Sequence, residues 1–264
     1  MKLYDYAQAV SELTGDGAEV VTVDKNGVDY IGINVRKEGT NIAPTVYING
    51  MFNSGVSVAD AAAEVMKIMA AEYAKIGSEH MDTAWIRDFD LVKPHLAARL
   101  LNKANVPGDV ATLDAKPYGF DDLVLVPVIK CDIQGMNGTI TVKESFLRHW
   151  DISSEELRDS VVNGLAEPVV KNFLQFMGLH EPSGDETPLV VFITSEDGAA
   201  GVIKARKKLE KIFPEGYRVL PVSVHEVLAV SVYSDEGHLN AMVESVNKDE
   251  LPKEDFLSDH VYTF

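Results

Sequence analysis

Cysteine is almost absent: Cys131 is the single one in 264 residues. A lone thiol excludes an intrachain disulfide framework and any zinc site built from cysteine pairs, and it fits a reducing compartment, so the cytoplasm is the expected location. Long apolar runs are missing too. The longest, LVVFIT at 189–194 and VLAVSV at 227–232, are strand-sized and far short of the ~20 residues that a membrane-spanning helix needs. At the N-terminus, acidic and polar residues interrupt MKLYDYAQAVSELTGDGAEVV before a signal-peptide core can form, so export is not expected. Positive charge is scarce. The 24 Lys and Arg oppose 41 Asp and Glu, a formal net charge of −17, which disfavours nucleic acid and anionic membrane as partners. The acids are scattered among basic and apolar residues, so plain solubility is the expected reading, and charge alone does not promote mimicry of nucleic acid toward a basic partner.

What is present reads as two blocks of local signals. In YDYAQAVSEL, Tyr4, Ala7, Val10 and Leu13 fall near helical spacing, and TGDG ends the run. AEVVTVD and VDYIGINVR flank Lys25-Asn26-Gly27, and Asn-Gly between β-branched runs predicts a hairpin. PTVYING at 44–50 reads as a third strand. Ser57 then caps a helix from Val58, with Asp60 in its first turn, Gly77 past its end, and Ala62, Val65, Met66, Met69 and Tyr73 as its apolar stripe. The connection that follows predicts a short helix from Pro94 to Lys103.

The second block opens with LVLVPVIKCDIQG, a buried strand, joined by a turn at Met136-Asn137-Gly138 to TITVKESFLRHW. Ser153 or Ser154 starts a helix that Pro168 limits and that packs on this hairpin through Leu157, Val161 and Leu165. Trp150 reads as a packing anchor, and Trp85 as a cover for a surface or a joint between modules. The last third parses as strand, helix, strand, helix, strand, with GYRVLPVSVHEVLAVSV taken as one strand. The expected fold is α+β: a helix–three-strand–helix module over residues 1–80, packed against a larger mixed-sheet α/β module with helices over 81–264.

His225-Glu226, inside the apolar run 220–232, looks most like chemistry. On one continuous strand, neighbours point to opposite faces. His225 then goes with Ser223, Val227, Ala229 and Ser231, and Glu226 with Val222, Val224, Leu228 and Val230. The pair is not a zinc-peptidase signature, because Ala229 stands four residues after His225. Glu226 on an apolar face requires a partner, either as a structural carboxylate or as a general acid or base at the end of the sheet. SEDGAAG at 195–201 lacks the lysine and spacing of a phosphate loop, and Glu196 and Asp197 would repel an anion. Asp197 as a helix N-cap fits it better. The histidines at 80, 95, 149, 180, 225, 238 and 260 never fall four apart, so a metal site would have to be assembled by folding, and neither a metal nor a cofactor is expected. Ser223 and His225 show no nucleophile elbow.

PTVYING with its following helix, VLPVSVHEVLAVSV, and the ending VNKDELPKEDFLSDHVYTF together resemble domain-of-unknown-function family 5688 of gut Firmicutes, whose members carry similar SVHEV and LSDxVY stretches. DGAAG at 197–201 and WDISSEEL at 150–157 are similar to that family's pattern as well, and the resemblance covers nearly the whole chain. It implies one cytoplasmic bacterial protein and brings no activity, cofactor or catalytic residue with it. It also places His225, Glu226, Asn247, Ser258 and Asp259 in recurrent stretches. The leading expectation is a non-enzymatic protein-binding module, with a basic partner if charge matters, in a mobile-element or host-conflict setting. The rival is a hydrolase-like enzyme with a site assembled around the 220–232 strand and the C-terminal segment, drawn from His225, Glu226, His238, Asn247, Asp259 and His260. A third reading, a subunit of a homo-oligomer, would show an exposed apolar edge.

Overall fold

At Asn26 and Gly27 the backbone takes φ values of 52° and 80°, the positive pair that a two-residue type I′ connection requires. The computed structural model, which describes residues 1–76, 82–133, 136–178 and 190–264, places this turn between β1 (Ala18–Lys25) and β2 (Val28–Val35). Lys25 pairs with Val28 and Ala18 with Val35, so the hairpin keeps its register to the end. The chain divides into two units, Met1–Ala84 with Asp132–Gly138, and Trp85–Cys131 with Thr139–Phe264.

In the first unit, α1 (Leu3–Thr14) precedes the hairpin, and β3 (Thr45–Tyr47), α2 (Asn49–Asn53) and α3 (Val58–Ile76) follow it. The sheet is the antiparallel meander β1-β2-β3. Its core joins Tyr6, Ala7 and Val10 of α1 to Ile33, Val46 and Ile48, and to Ala61, Ala62, Val65 and Met69 of α3. Small residues at 61 and 62 let the helices approach closely. The Ser57 hydroxyl accepts from the Asp60 N–H at 3.2 Å, the cap that the sequence implies. Met66 leaves the expected stripe and is 46% exposed, because the buried arc of α3 is narrower than the run of apolar residues. Gly77 and His80 lie outside the described residues.

The remaining elements are α4 (Phe89–Val92), β4 (Leu96–Asn102), β5 (Leu113–Asp114), β6 (Leu123–Ile133), β7 (Met136–Thr141), α5 (Glu144–Trp150), α6 (Ser154–Gly164), β8 (Val169–Asn172), α7 (Phe173–Phe176), β9 (Val190–Thr194), α8 (Gly201–Ile212), β10 (Tyr217–Pro221), β11 (Glu226–Ser231), α9 (Glu236–Asp249) and β12 (Tyr262–Thr263), all in the second unit except the end of β6 and the start of β7, which fall in the first. One sheet runs β4-β6-β5 with β7 on β6, the other β12-β10-β11-β9-β8. The α+β class holds.

Four expectations are corrected. The stretch 94–103 is not a helix: Pro94 sits in a 3₁₀ turn, and β4 pairs with β6 from Leu96 opposite Ile129 to Asn102 opposite Leu123. Every β4 residue except Arg99 and Leu101 is buried, so long-range pairing overrides the helix propensity of Leu, Ala and Arg. Met136-Asn137-Gly138 is strand within β7, and the connection before it, 134–135, lies outside the described residues. The sheets are antiparallel, not mixed. The βαβ pattern of β9, α8 and β10 is real, since both strands run antiparallel to β11, but β11 is inserted between them. Finally, 217–232 is two strands, broken between Pro221 and Glu226.

Ser153 caps α6 by accepting from the Glu156 N–H at 3.0 Å, and Leu157 and Val161 enter the core with Leu165. Trp150 anchors the same core: its Nε1–H donates to Ile86 O at 2.9 Å, with the rings of Phe89 and Phe146 at 5.5 and 5.7 Å. Trp85 is half-buried, its ring 5.3 Å from that of His95. Among the described residues, no helix is long and apolar enough to cross a membrane. The helix α6 packs against β4, so closely that a Cβ on Gly164 would lie 1.8 Å from the Leu96 carbonyl oxygen. Gly164→Ala should therefore lower unfolding free energy by about 2–3 kcal/mol in urea titrations. Gly50→Ala, where nothing lies within 4 Å of the added atom, should leave it level or raise it by up to ~1 kcal/mol.

Candidate functional site

The break between β10 and β11 takes His225 and Glu226 off the continuous strand on which they were expected. Ser223 N–H donates to Glu226 O at 3.1 Å, and its hydroxyl donates to Glu226 Oε1 at 2.9 Å while accepting from His225 N–H at 3.1 Å. Ser223 and Glu226, assigned to opposite faces of a strand, are thus bonded across a tight turn. The carboxylate has found a structural donor, as a half-buried acid must. The His225 ring instead reaches Asp255 Oδ1 at 3.2 Å and is 65% exposed. Backbone bonds from Ala199 N–H to Val224 O and from Val224 N–H to Asp255 O, both 3.0 Å, fix the turn on each side.

Asp197 stands at the N-cap position of the 3₁₀ turn Gly198–Ala200 that leads into α8, but its side chain makes no capping bond. Its carboxylate, 3% exposed, meets Lys130 Nζ at 2.8 Å and accepts from Ala166 N–H at 2.6 Å. Ser195 Oγ accepts from Asp197 N–H at 3.1 Å instead. Gly198 has φ +64°, and a Cβ there would stand 2.5 Å from Val224 O, so the glycine serves close backbone approach in this loop.

The richest polar constellation lies where the C-terminal segment meets the residues before β6. Asp122 accepts from the Tyr262 hydroxyl on one oxygen, and from Ser258 Oγ at 2.9 Å and Asn102 Nδ2 at 3.1 Å on the other. Asn102 also donates to Leu257 O at 3.0 Å, and Asn247 Nδ2 donates to Ser258 O at 2.9 Å. His260 Nδ1 lies 2.9 Å from Asp259 Oδ1 and 3.3 Å from Ser258 Oγ, while its Nε2 lies 3.7 Å from Asp121 Oδ1 and 3.9 Å from Asp122 Oδ1. Of the six residues in the sequence-based pool, Asn247, Asp259 and His260 come together here. His225 and Glu226 hold to the turn before β11. His238 is exposed, its backbone N–H capped by Asp235 at 2.7 Å.

The serine, histidine and aspartate of this cluster do not form a nucleophilic triad. Ser258 is fully buried, its proton goes to Asp122, and both it and Asp259 contact the same ring nitrogen of His260. A triad needs serine and acid on opposite nitrogens. Burial lowers the His260 pKa, but the Asp259 hydrogen bond and the charges of Asp122, Asp259 and Asp121 outweigh it, and the net shift is upward. Burial first, then the bond to Asp122, raises Tyr262 far above the ordinary phenol range, so it stays a donor. Asp121, Asp122 and His260 offer one ligand atom each, all within 4.8 Å of one another, the arrangement of a metal-binding group. Sequence reasoning missed Asp121, Asp122, Tyr262 and Asn102. The adjacent aspartates directly before an apolar strand were the one local trace.

A family model described as "Family of unknown function (DUF5688)" matches residues 6–264. No curated protein and no solved structure matches the chain.

A raised imidazole pKa fixes a sign. In the presence of a chelator, the stability that His260 contributes is fully present below the unfolded imidazole value of about 6.5 and is lost as pH rises through the higher folded value. Thermal midpoints of wild type and His260→Gln should therefore differ most at acid pH and converge as pH rises. A gap independent of pH would mean that the surrounding carboxylates do not hold the imidazolium.

Proposed function

The chain belongs to that family of unknown function, and from this premise we propose that it is a protein-binding module that engages a basic partner through the surface of α9 and the segment after it. The observation that carries this reading is negative charge concentrated beside exposed apolar atoms. Residues 235–259 hold eight carboxylates against two lysines. Glu244, Asp249 and Glu250 are exposed and enter no ion pair among the described residues. Met242 on the same helix is 47% exposed, and Tyr233, just before it, 76%. An adaptable thioether and an aromatic ring within a charged rim suit a protein interface, and the charges speed encounter with a basic surface. The buried, committed hydroxyl of Ser258 and the bonded carboxylate of Glu226 weigh against the hydrolase-like alternative.

Exposed carboxylates can be changed at little cost to stability, within about 0.5 kcal/mol each. The triple variant Glu244→Lys, Asp249→Lys, Glu250→Lys should therefore melt with the wild type. In affinity capture from a lysate of the source cells at about 0.1 M salt, wild type should retain a stoichiometric basic protein that the variant loses and that about 0.5 M salt releases. Equal capture by both proteins, or capture indifferent to salt, would refute the proposal.

A further inference from the structure

We propose that Asp121, Asp122 and His260 bind one divalent transition-metal ion of zinc-like character, a site that adjoins the protein-binding surface but is tested by different residues and a different readout, so that either reading can fail alone. The distances come first. Ligand atoms held about 2.0–2.2 Å from an ion in tetrahedral geometry stand roughly 3.3–3.6 Å apart. His260 Nε2 lies 3.7 and 3.9 Å from the two aspartate oxygens, and the three atoms fall within 4.8 Å. These separations are too long for hydrogen bonds and need a contraction of about 1.5 Å or less to close on an ion.

The second observation is the orientation of the ring. Asp259 Oδ1, which is not one of the three ligands, sits 2.9 Å from His260 Nδ1. A proton held there leaves the lone pair on Nε2, on the side of the two carboxylates. This is the carboxylate–histidine arrangement that fixes the tautomer of metal-ligating imidazoles. Asp122 is oriented in the same way by the Tyr262, Ser258 and Asn102 donors on its flanks, and one oxygen carries only a single donor. Charge points the same way. Among the described residues, no lysine or arginine pairs with Asp121, Asp122 or Asp259, and the one cationic partner they share is His260 itself. One imidazole with two carboxylates favours borderline ions over Mg²⁺ or Ca²⁺, which prefer all-oxygen shells. Three protein ligands leave at least one position open to water or a small ligand.

The test is calorimetric titration of the chelator-treated chain with Zn²⁺, and with Ca²⁺ as the hard-ion contrast. Wild type should take up about one Zn²⁺ per chain and bind Ca²⁺ at least ~10-fold more weakly. Asp121→Asn is the clean variant, because that side chain is 74% exposed and the metal-free fold does not depend on it. It should melt with the metal-free wild type and bind Zn²⁺ at least ~10-fold more weakly, and Asp259→Ala should lose ~10-fold or more through the freed ring. Zinc binding unchanged in Asp121→Asn or in Asp259→Ala, or Ca²⁺ bound as tightly as Zn²⁺, would overturn the site.

Discussion

A carboxylate that is only 31% exposed must be given hydrogen-bond donors, and Asp122 draws its three from distant parts of the chain. Tyr262 belongs to β12, Ser258 to the segment before it, and Asn102 to the end of β4. Had any of them been apolar, a charged oxygen would lose a partner in a place where water reaches poorly. The arrangement therefore decides where the C-terminal segment lies. It sets Asp259 and His260 beside Asp121, and it brings Asn247 of α9 onto Ser258 O.

The aromatic packing beside it completes the attachment. Phe120 meets Tyr262 edge-on at 4.8 Å and Phe264 at 5.5 Å, and Phe264 stacks on Tyr217 at 5.1 Å with an interplanar angle of 11°. Gly119 admits the Phe264 ring, since a Cβ there would come within 2.3 Å of it. The β12 ladder has only two registered pairs with β10, supplemented by reciprocal backbone bonds between Tyr217 and Phe264. A ladder that short is marginal alone. Side chains, more than sheet hydrogen bonds, hold the segment.

How far each part could be read from the sequence follows the range of the interactions involved. The first unit was legible because its signals are local: the Asn26-Gly27 turn, the Ser57 cap and the helical extents of α1 and α3 act within a few residues, although in α1 only Ala7 and Val10 of the spaced set are buried, with Tyr6, while Tyr4 and Leu13 are exposed. β4 was misread because Leu-Ala-Ala-Arg-Leu-Leu favours a helix until β6, more than twenty residues later, offers a partner. The split between β10 and β11 was hidden for a different reason. No Gly or Asn marks the turn; Ser223 makes it by bonding the side chain of Glu226 and the backbone of His225, and a serine in a valine-rich run carries no such message. The C-terminal cluster was half visible. Asn247, Asp259 and His260 stand in stretches that invited attention, whereas Asp121, Asp122, Asn102 and Tyr262 acquire meaning only through contacts across most of the second unit.

Those separations also set a clock on synthesis. Tyr262 and Asp122 are 140 residues apart, and Asn102 and the Leu257 carbonyl 155. At ~5–20 residues per second, a ribosome takes between roughly 7 and 28 s to travel from one end of the first pair to the other. For that interval Asp122 has only Asn102 of its three donors, and Asn102 lacks the Leu257 carbonyl. The first unit's hairpin can close within microseconds of emerging, but the second must wait, its β10 edge and the Phe120 ring uncovered, for its last strand to arrive.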